Sequence, residues 1–125
     1  MGIRAVDHIN IATERLEETR AFFIDVLGLA EGPRPPFAAP GYWLYAGDKA
    51  VVHMQLADSP VGPSSHCALN HFAFDVDDLD GMLARLDARD VPYRALVVPG
   101  TDIRQAFFED PNGVRVELNA APVGD

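Results

Sequence analysis

Leu69-Asn70-His71-Phe72-Ala73-Phe74 repeats, 63 residues further along the chain, the pattern of Val6-Asp7-His8-Ile9-Asn10-Ile11. A repeat on this scale constrains the architecture before any single motif is weighed. Each copy leads into a helical pattern. In the first, Thr13 is placed to cap a helix whose Leu16, Phe23, Val26 and Leu27 recur at helical spacing until Gly28 stops it. In the second, Asp77 or Asp78 caps, and Leu79, Met82, Leu83 and Leu86 form the apolar face up to Val91-Pro92. The match resumes beyond the helices. Tyr42-Trp43-Leu44-Tyr45, Gly47-Asp48-Lys49 and Ala50-Val51-Val52-His53 correspond to Ala106-Phe107-Phe108-Glu109, Pro111-Asn112-Gly113 and Val114-Arg115-Val116-Glu117, now 64 residues apart. Both read as hairpins, Asn112-Gly113 being the stronger turn signal and Gly47-Asp48 the weaker. A further strand is expected near Ala30 to Pro33 and near Tyr93 to Val98, with the Pro/Gly-rich stretch from Gly32 to Gly41 a loop or irregular edge. The reading is an α+β fold of two βαβββ modules, about 1–58 and about 68–121, joined by a linker at about 59–67 that contains Pro60, Gly62 and Pro63.

A chain of 125 residues, 48% of them hydrophobic, has ordinary size for one domain with a real core, so residues 1–125 are expected to form a single globular unit. The 19 acidic and 10 basic residues give a formal charge of −9, and such a surface repels phosphate backbones and anionic headgroups. Neither nucleic acid nor a membrane is an expected partner. No apolar run approaches the roughly 20 residues of a membrane helix. The opening MGIRAVDHIN has no signal-peptide core, and Val6 stands where a myristoylation motif carries Ser or Thr. The single Cys67 forms no internal disulfide, in keeping with a reducing cytoplasm, the expected location. It reads as a small structural residue rather than a nucleophile.

Side chains alternate across a strand, so parity shows which neighbours share a face. His8 and Asn10 oppose Ile9 and Ile11; His71, Ala73 and Asp75 oppose Phe72, Phe74 and Val76. In the closing strands His53 and Gln55 oppose Val52, Met54 and Leu56, while Arg115, Glu117 and Asn119 oppose Val114, Val116 and Leu118. The apolar set belongs under the helices, where burial contributes about 25 cal/mol per Å². His8, His53, His71 and Glu117 therefore share the non-helical face. An ionised carboxylate there is costly to bury unless a cation compensates it.

The two His-bearing repeat starts, the paired strand-helix-strand-strand-strand order and the ending Phe107-Phe108-Glu109-Asp110-Pro111-Asn112-Gly113-Val114-Arg115-Val116-Glu117-Leu118 resemble the vicinal oxygen chelate superfamily. That group includes glyoxalase I, methylmalonyl-CoA epimerase, fosfomycin-modifying enzymes, extradiol dioxygenases and metal-free bleomycin-binding proteins. The resemblance covers nearly the whole chain, and the Asp-Pro-Asn-Gly hairpin leading to Glu117 is its most specific part. It implies a curved, barrel-like mixed sheet with helices on the outside, a homodimer, and a divalent metal ion whose ligand positions fall on His8, His53, His71 and Glu117. Two His and a carboxylate with open positions suit Fe(II), and related N/O sets suit Zn, Ni, Mn or Co. His53 stands between a fourth ligand, a general base and a substrate contact. It is a catalytic candidate together with Glu117.

An open divalent ion chelates two vicinal oxygens of a substrate, stabilises a developing oxyanion and lets a nearby base move a proton. The resemblance thus implies a glyoxalase-like lyase or isomerase acting on a small oxygenated metabolite. The alternatives are an Fe(II)-dependent extradiol-type dioxygenase and a metal-free binding protein of the bleomycin-resistance kind. Ala12 and Ala57 occupy positions where glutathione-using glyoxalases tend to carry Arg and Asn, which removes the support for glutathione as a cosubstrate. The potassium-loop lysine and C-terminal arginine of the fosfomycin enzymes have no counterpart. His66, in the linker, is read as solvent-facing. Trp43, Tyr45 and Phe107 are read as core or as the wall of an aromatic pocket, Arg104 as a surface residue and Arg115 as surface or anion contact. The run Asp75-Val76-Asp77-Asp78 is read as strand end and helix cap rather than calcium ligands.

Overall fold

The computed structural model describes residues 2–122. The chain divides between Val61 and Gly62 into two compact units. The first runs β1 (Ile9–Thr13), α1 (Leu16–Ala21), β2 (Ala30–Gly32), β3 (Gly41–Ala46) and β4 (Lys49–Leu56). The second runs β5 (His71–Asp75), α2 (Leu79–Ala88), β6 (Arg94–Val97), β7 (Arg104–Glu109) and β8 (Arg115–Ala120). The expected βαβββ order is therefore present twice. The sheet orders are β1-β4-β3-β2 and β5-β8-β7-β6, so the strands form two separate four-stranded mixed sheets rather than one continuous sheet. In each, the first and last strands pair in parallel and the other pairs are antiparallel, because the helix carries the chain across before the hairpin returns it.

Alternation decides which face is covered. In the first unit Ile11, Leu44, Val52 and Met54 are buried together with Phe23, Val26 and Leu27 from the helical segment. In the second, Ala106, Phe108, Val116 and Leu118 are buried with Leu79 and Leu86 of α2. The opposite parity carries His53, His71 and Glu117, as the alternation predicts.

The helix starts differ from one another. Asp78 is the N-cap of α2, its Oδ1 accepting the N–H of Gly81 at 2.9 Å. A Cβ at Gly81 would lie 2.3 Å from Asp78 Oδ2, so glycine at that position lets the cap close. In the first unit the N-cap is Arg15 and not Thr13. Thr13 is a fully buried strand end whose Oγ1 accepts the N–H of Arg15 at 2.8 Å and meets Thr19 Oγ1 at 3.2 Å, a turn that precedes the helix. The α-helix then gives way to a π turn over Phe22–Val26 and ends at Gly28, whose φ of 79° lets Leu29 N–H close back onto Phe23 O.

Part of the segment expected as linker is tied to the second unit. Ser64–His66 forms a short 3₁₀ turn; Ser64 donates its N–H to Gly113 O at 3.1 Å, and its Oγ accepts the N–H of Arg115 at 2.9 Å.

Candidate functional site

The four residues selected by parity stand as two pairs, one in each unit. In the first unit Asn10 of β1 lies opposite His53 of β4, and Trp43 of β3 lies opposite it on the other side. In the second, Ala73 of β5 and Phe107 of β7 flank Glu117 of β8 in the same way. His8 precedes Asn10 by two residues and His71 precedes Ala73 by two, so both parallel ladders set a histidine on the same diagonal from the β4 or β8 residue. Among the described residues, no three His, Cys, Asp or Glu side chains form one cluster able to hold a metal ion.

In the first unit the rings stack. His8 and His53 have centroids 3.6 Å apart with planes 12° from parallel, and Trp43 stacks on His53 at 3.9 Å and 13°. His8 Nδ1 donates to Asp7 Oδ2 at 2.7 Å. A carboxylate only accepts, so the proton of a neutral ring sits on Nδ1 and the lone pair on Nε2. Lys49 meets the other Asp7 oxygen at 3.2 Å. The hydrogen bond from His8, helped by Lys49, holds the Asp7 carboxyl below the ordinary carboxylate range. Burial holds His53 below the ordinary imidazole value, and a proton on both nitrogens of the neighbouring His8 would act in the same direction, which favours the neutral form of His53.

In the second unit, both ring nitrogens of His71 face acceptor oxygens: Nδ1 lies 2.9 Å from Asn70 Oδ1, and Nε2 lies 3.3 Å from Glu117 Oε1. A neutral imidazole has one proton and satisfies only one of them; a cation between Nε2 and Oε1 would satisfy the other. Two donors each about 2.1 Å from a tetrahedral ion lie about 3.4 Å apart, so the observed separation suits a shared ion. Glu117 is only 9% exposed, and its Oε2 accepts one contact, at 3.2 Å from a Gln105 Nε2 that also serves Asn119. The donor chemistry fits a divalent cation. Asp7 and Asn70 supply the Nδ1 partners that commonly orient ligating histidines.

A cleft of about 970 Å³ opens beside His8 and His53 within the first unit, lined also by Arg34, Phe37, Trp43 and Tyr45. Trp43 and Tyr45 thus belong to a pocket wall. Phe107 meets His71 edge-on at 6.2 Å. Arg104 pairs with Asp80 on the surface, as expected, while His66 is exposed. Parity alone missed Asp7, Asn70, Gln105, Arg34 and Phe37. Only Asp7 and Asn70 had a signal to find them by, a polar residue before each repeated histidine.

Asp110 positions the hairpin that carries Glu117. It is 5% exposed, and its Oδ1 accepts the N–H groups of Asn112 and Val114, both at 2.8 Å. Asp110→Ala leaves those donors without their acceptor and is expected to lower stability by about 2 kcal/mol in urea unfolding. Burial raises the Asp110 carboxyl above its ordinary 3.8, against the hydrogen bonds that lower it. The folded chain therefore holds this proton more tightly than the unfolded chain. The stability linked to this proton is present below 3.8 and is lost as pH rises through the raised folded value. Asp110→Asn removes that slope, which parallel urea midpoints across the acid range will show.

Residues 5–118 match the family model for the Glyoxalase/Bleomycin resistance protein/Dioxygenase superfamily. The uncharacterized protein YaeR of Escherichia coli (strain K12) is 32% identical over 127 residues, spanning 94% of this chain and 97% of its own. A glyoxalase family protein from Bacillus anthracis, 24% identical, has a TM-score of 0.81 with 98% of both chains covered. A mutant of the fosfomycin resistance protein FosX from Listeria monocytogenes, complexed with Mn(II) and 1S,2S-dihydroxypropylphosphonic acid, is 18% identical with a TM-score of 0.76, covering 98% of this chain and 95% of its own. At these identities the two solved structures bear on the fold.

Proposed function

The chain belongs to the Glyoxalase/Bleomycin resistance protein/Dioxygenase superfamily, and from that membership we propose that it is a divalent-metal-dependent lyase or isomerase acting on a small metabolite with two vicinal oxygens. The observation that carries the reading is the His71–Glu117 pair, with its 3.3 Å separation and a surplus of lone pairs, on the diagonal that His8 and His53 repeat. His71 and Glu117 would hold the ion, with His8 of this chain or of a second copy as the third ligand, and the bound ion would supply a Lewis acid for two substrate oxygens. Asp7 and Asn70 orient the two histidines, and Gln105 holds Glu117. His53, neutral and stacked, accepts the proton that the reaction moves. FosX, solved with Mn(II) and a phosphonate bearing two neighbouring hydroxyls, supports this pairing of ion and ligand chemistry.

The test strips the protein with a chelator and reloads it with Zn, Ni, Mn, Co or Fe(II). At a hundredfold excess of ion over Kd, binding contributes about 2.7 kcal/mol, which raises Tm by roughly 10 °C in a chain of this size. His8→Ala and His71→Ala are expected to lose both the bound ion and the rise. Protein that carries no ion and gains no stability from any of the five overturns the reading. Stabilisation by Fe(II) alone would favour ring cleavage by a dioxygenase. The Phe37–Trp43 wall of the cleft favours a second reading, capture of an aromatic ligand without chemistry, which predicts affinity unchanged by the chelator.

A further inference from the structure

The cleft of the first unit contains a cation that the chain leaves without an anion. Arg34 lies between β2 and β3 in a loop stiffened by Pro33, Pro35, Pro36 and Pro40. Its Nη2 donates to Ala39 O at 3.0 Å, and its guanidinium carbon lies 5.0 Å over the Phe37 ring. A Cβ at Gly41 would come 2.7 Å from Nη2, so glycine there lets the guanidinium sit against β3. Its Nε is buried with no hydrogen-bond partner, and among the described residues Arg34 has no ion pair. The chain uses one of its five N–H donors, and because the buried Nε is out of a ligand's reach, the donors left for an anion are on the two Nη atoms. Other cations nearby are committed: Lys49, in the same cleft, is paired with Asp7, and Arg20 with Glu31. Phe37, 56% exposed, lies beside Trp43 with ring centroids 6.3 Å apart and gives the cleft an open apolar wall.

We propose that Arg34 receives the carboxylate of the substrate, whose planar apolar portion rests against the Phe37–Trp43 wall. The proposal rests on reading this cleft as the substrate site, and it names the substrate class as small carboxylates with an aromatic or other flat apolar group. A planar monoanion matches the guanidinium fork, whereas a phosphate dianion calls for more positive charge than the one uncommitted cation supplies. Asp7 and Asp48 also line the cleft, so an anion is held by a directed contact and not by the general field. Arg34 and His53 line the same cleft, so an anion held by the guanidinium lies in the space that the imidazole faces. A cleft of about 970 Å³ has room for such a molecule.

Trp43 is the single tryptophan of the chain, so its fluorescence reports on the wall directly. Phenylacetate and phenylacetamide are titrated into the parent protein and into Arg34→Gln, each with chelator and then with a saturating divalent ion. The expected result is saturable quenching by phenylacetate, about tenfold weaker with the amide. Arg34→Gln is expected to lose about tenfold for the acid and nothing for the amide, with the same ratios in both metal states. The amide titration also shows that the variant keeps its cleft. Equal affinity for acid and amide, an unaffected Arg34→Gln, or no saturable quenching overturns the proposal. An acid preference that vanishes with the chelator assigns the carboxylate to the ion and overturns it too. Failure of the metal reading looks different: no ion binds, yet the Arg34 ratio stands.

Discussion

Glu117→Gln is expected to leave the metal-free protein as stable as its parent, or about 1 kcal/mol more stable, while lowering affinity for a divalent ion at least a hundredfold, about 2.7 kcal/mol. The carboxylate is 9% exposed, and its neighbours are one shared amide N–H from Gln105 and the His71 ring. Such a group is incompletely compensated in the metal-free chain, and an isosteric amide removes its charge without opening a cavity. With the ion present the sign reverses, because the charge is then what binds. Leu118→Ala, one residue away on the covered face and fully buried, is expected to lower stability by about 2–5 kcal/mol in both states. Melting curves with chelator and with saturating ion separate the two. If Glu117→Gln lowers the metal-free Tm as much as Leu118→Ala does, the carboxylate is structural and the metal reading loses its anchor.

Parity at β8 shows why this contrast was legible from the chain alone. Val116, Leu118 and Phe108 had to lie beneath a helix because nothing else could cover their apolar area, and Glu117 between them had to face the other way. The repeat extended that inference to His8, His53 and His71. Periodicity did not reveal the π turn at Phe22–Val26, since Phe23, Val26 and Leu27 satisfy helical spacing whether or not one turn is widened. It also misassigned Thr13, a residue type suited to capping that burial assigns to the end of β1. Arg34 and Phe37 lie in a proline-rich loop with no period to read, so only the fold places them beside His53. The roles of Asp7 and Asn70 were present in the repeat itself but carried no weight until each was seen against a ring nitrogen.

His53→Gln is expected to keep the bound ion with affinity within about threefold of the parent, while slowing proton transfer by about 10²–10⁴-fold. An imidazole lone pair lies in the plane of its ring. His8 and His53 are stacked 3.6 Å apart with planes 12° from parallel, and such planes share no point within the roughly 2.1 Å reach of a metal bond. As they stand, only one of the two rings can ligate a given ion. His8 is the one whose Nδ1 is fixed by a carboxylate, leaving Nε2 directed and basic, as ligating histidines generally are. His53 is held instead by Trp43 stacked on one face, and burial favours its neutral form, the state a proton acceptor requires. Elemental analysis of His53→Gln beside His8→Ala reads the first half of the prediction. Solvent deuterium uptake into hydroxyacetone or mandelate, whichever the parent exchanges, reads the second. Metal loss as complete as in His8→Ala would make His53 a ligand, and unchanged exchange would exclude it as the base.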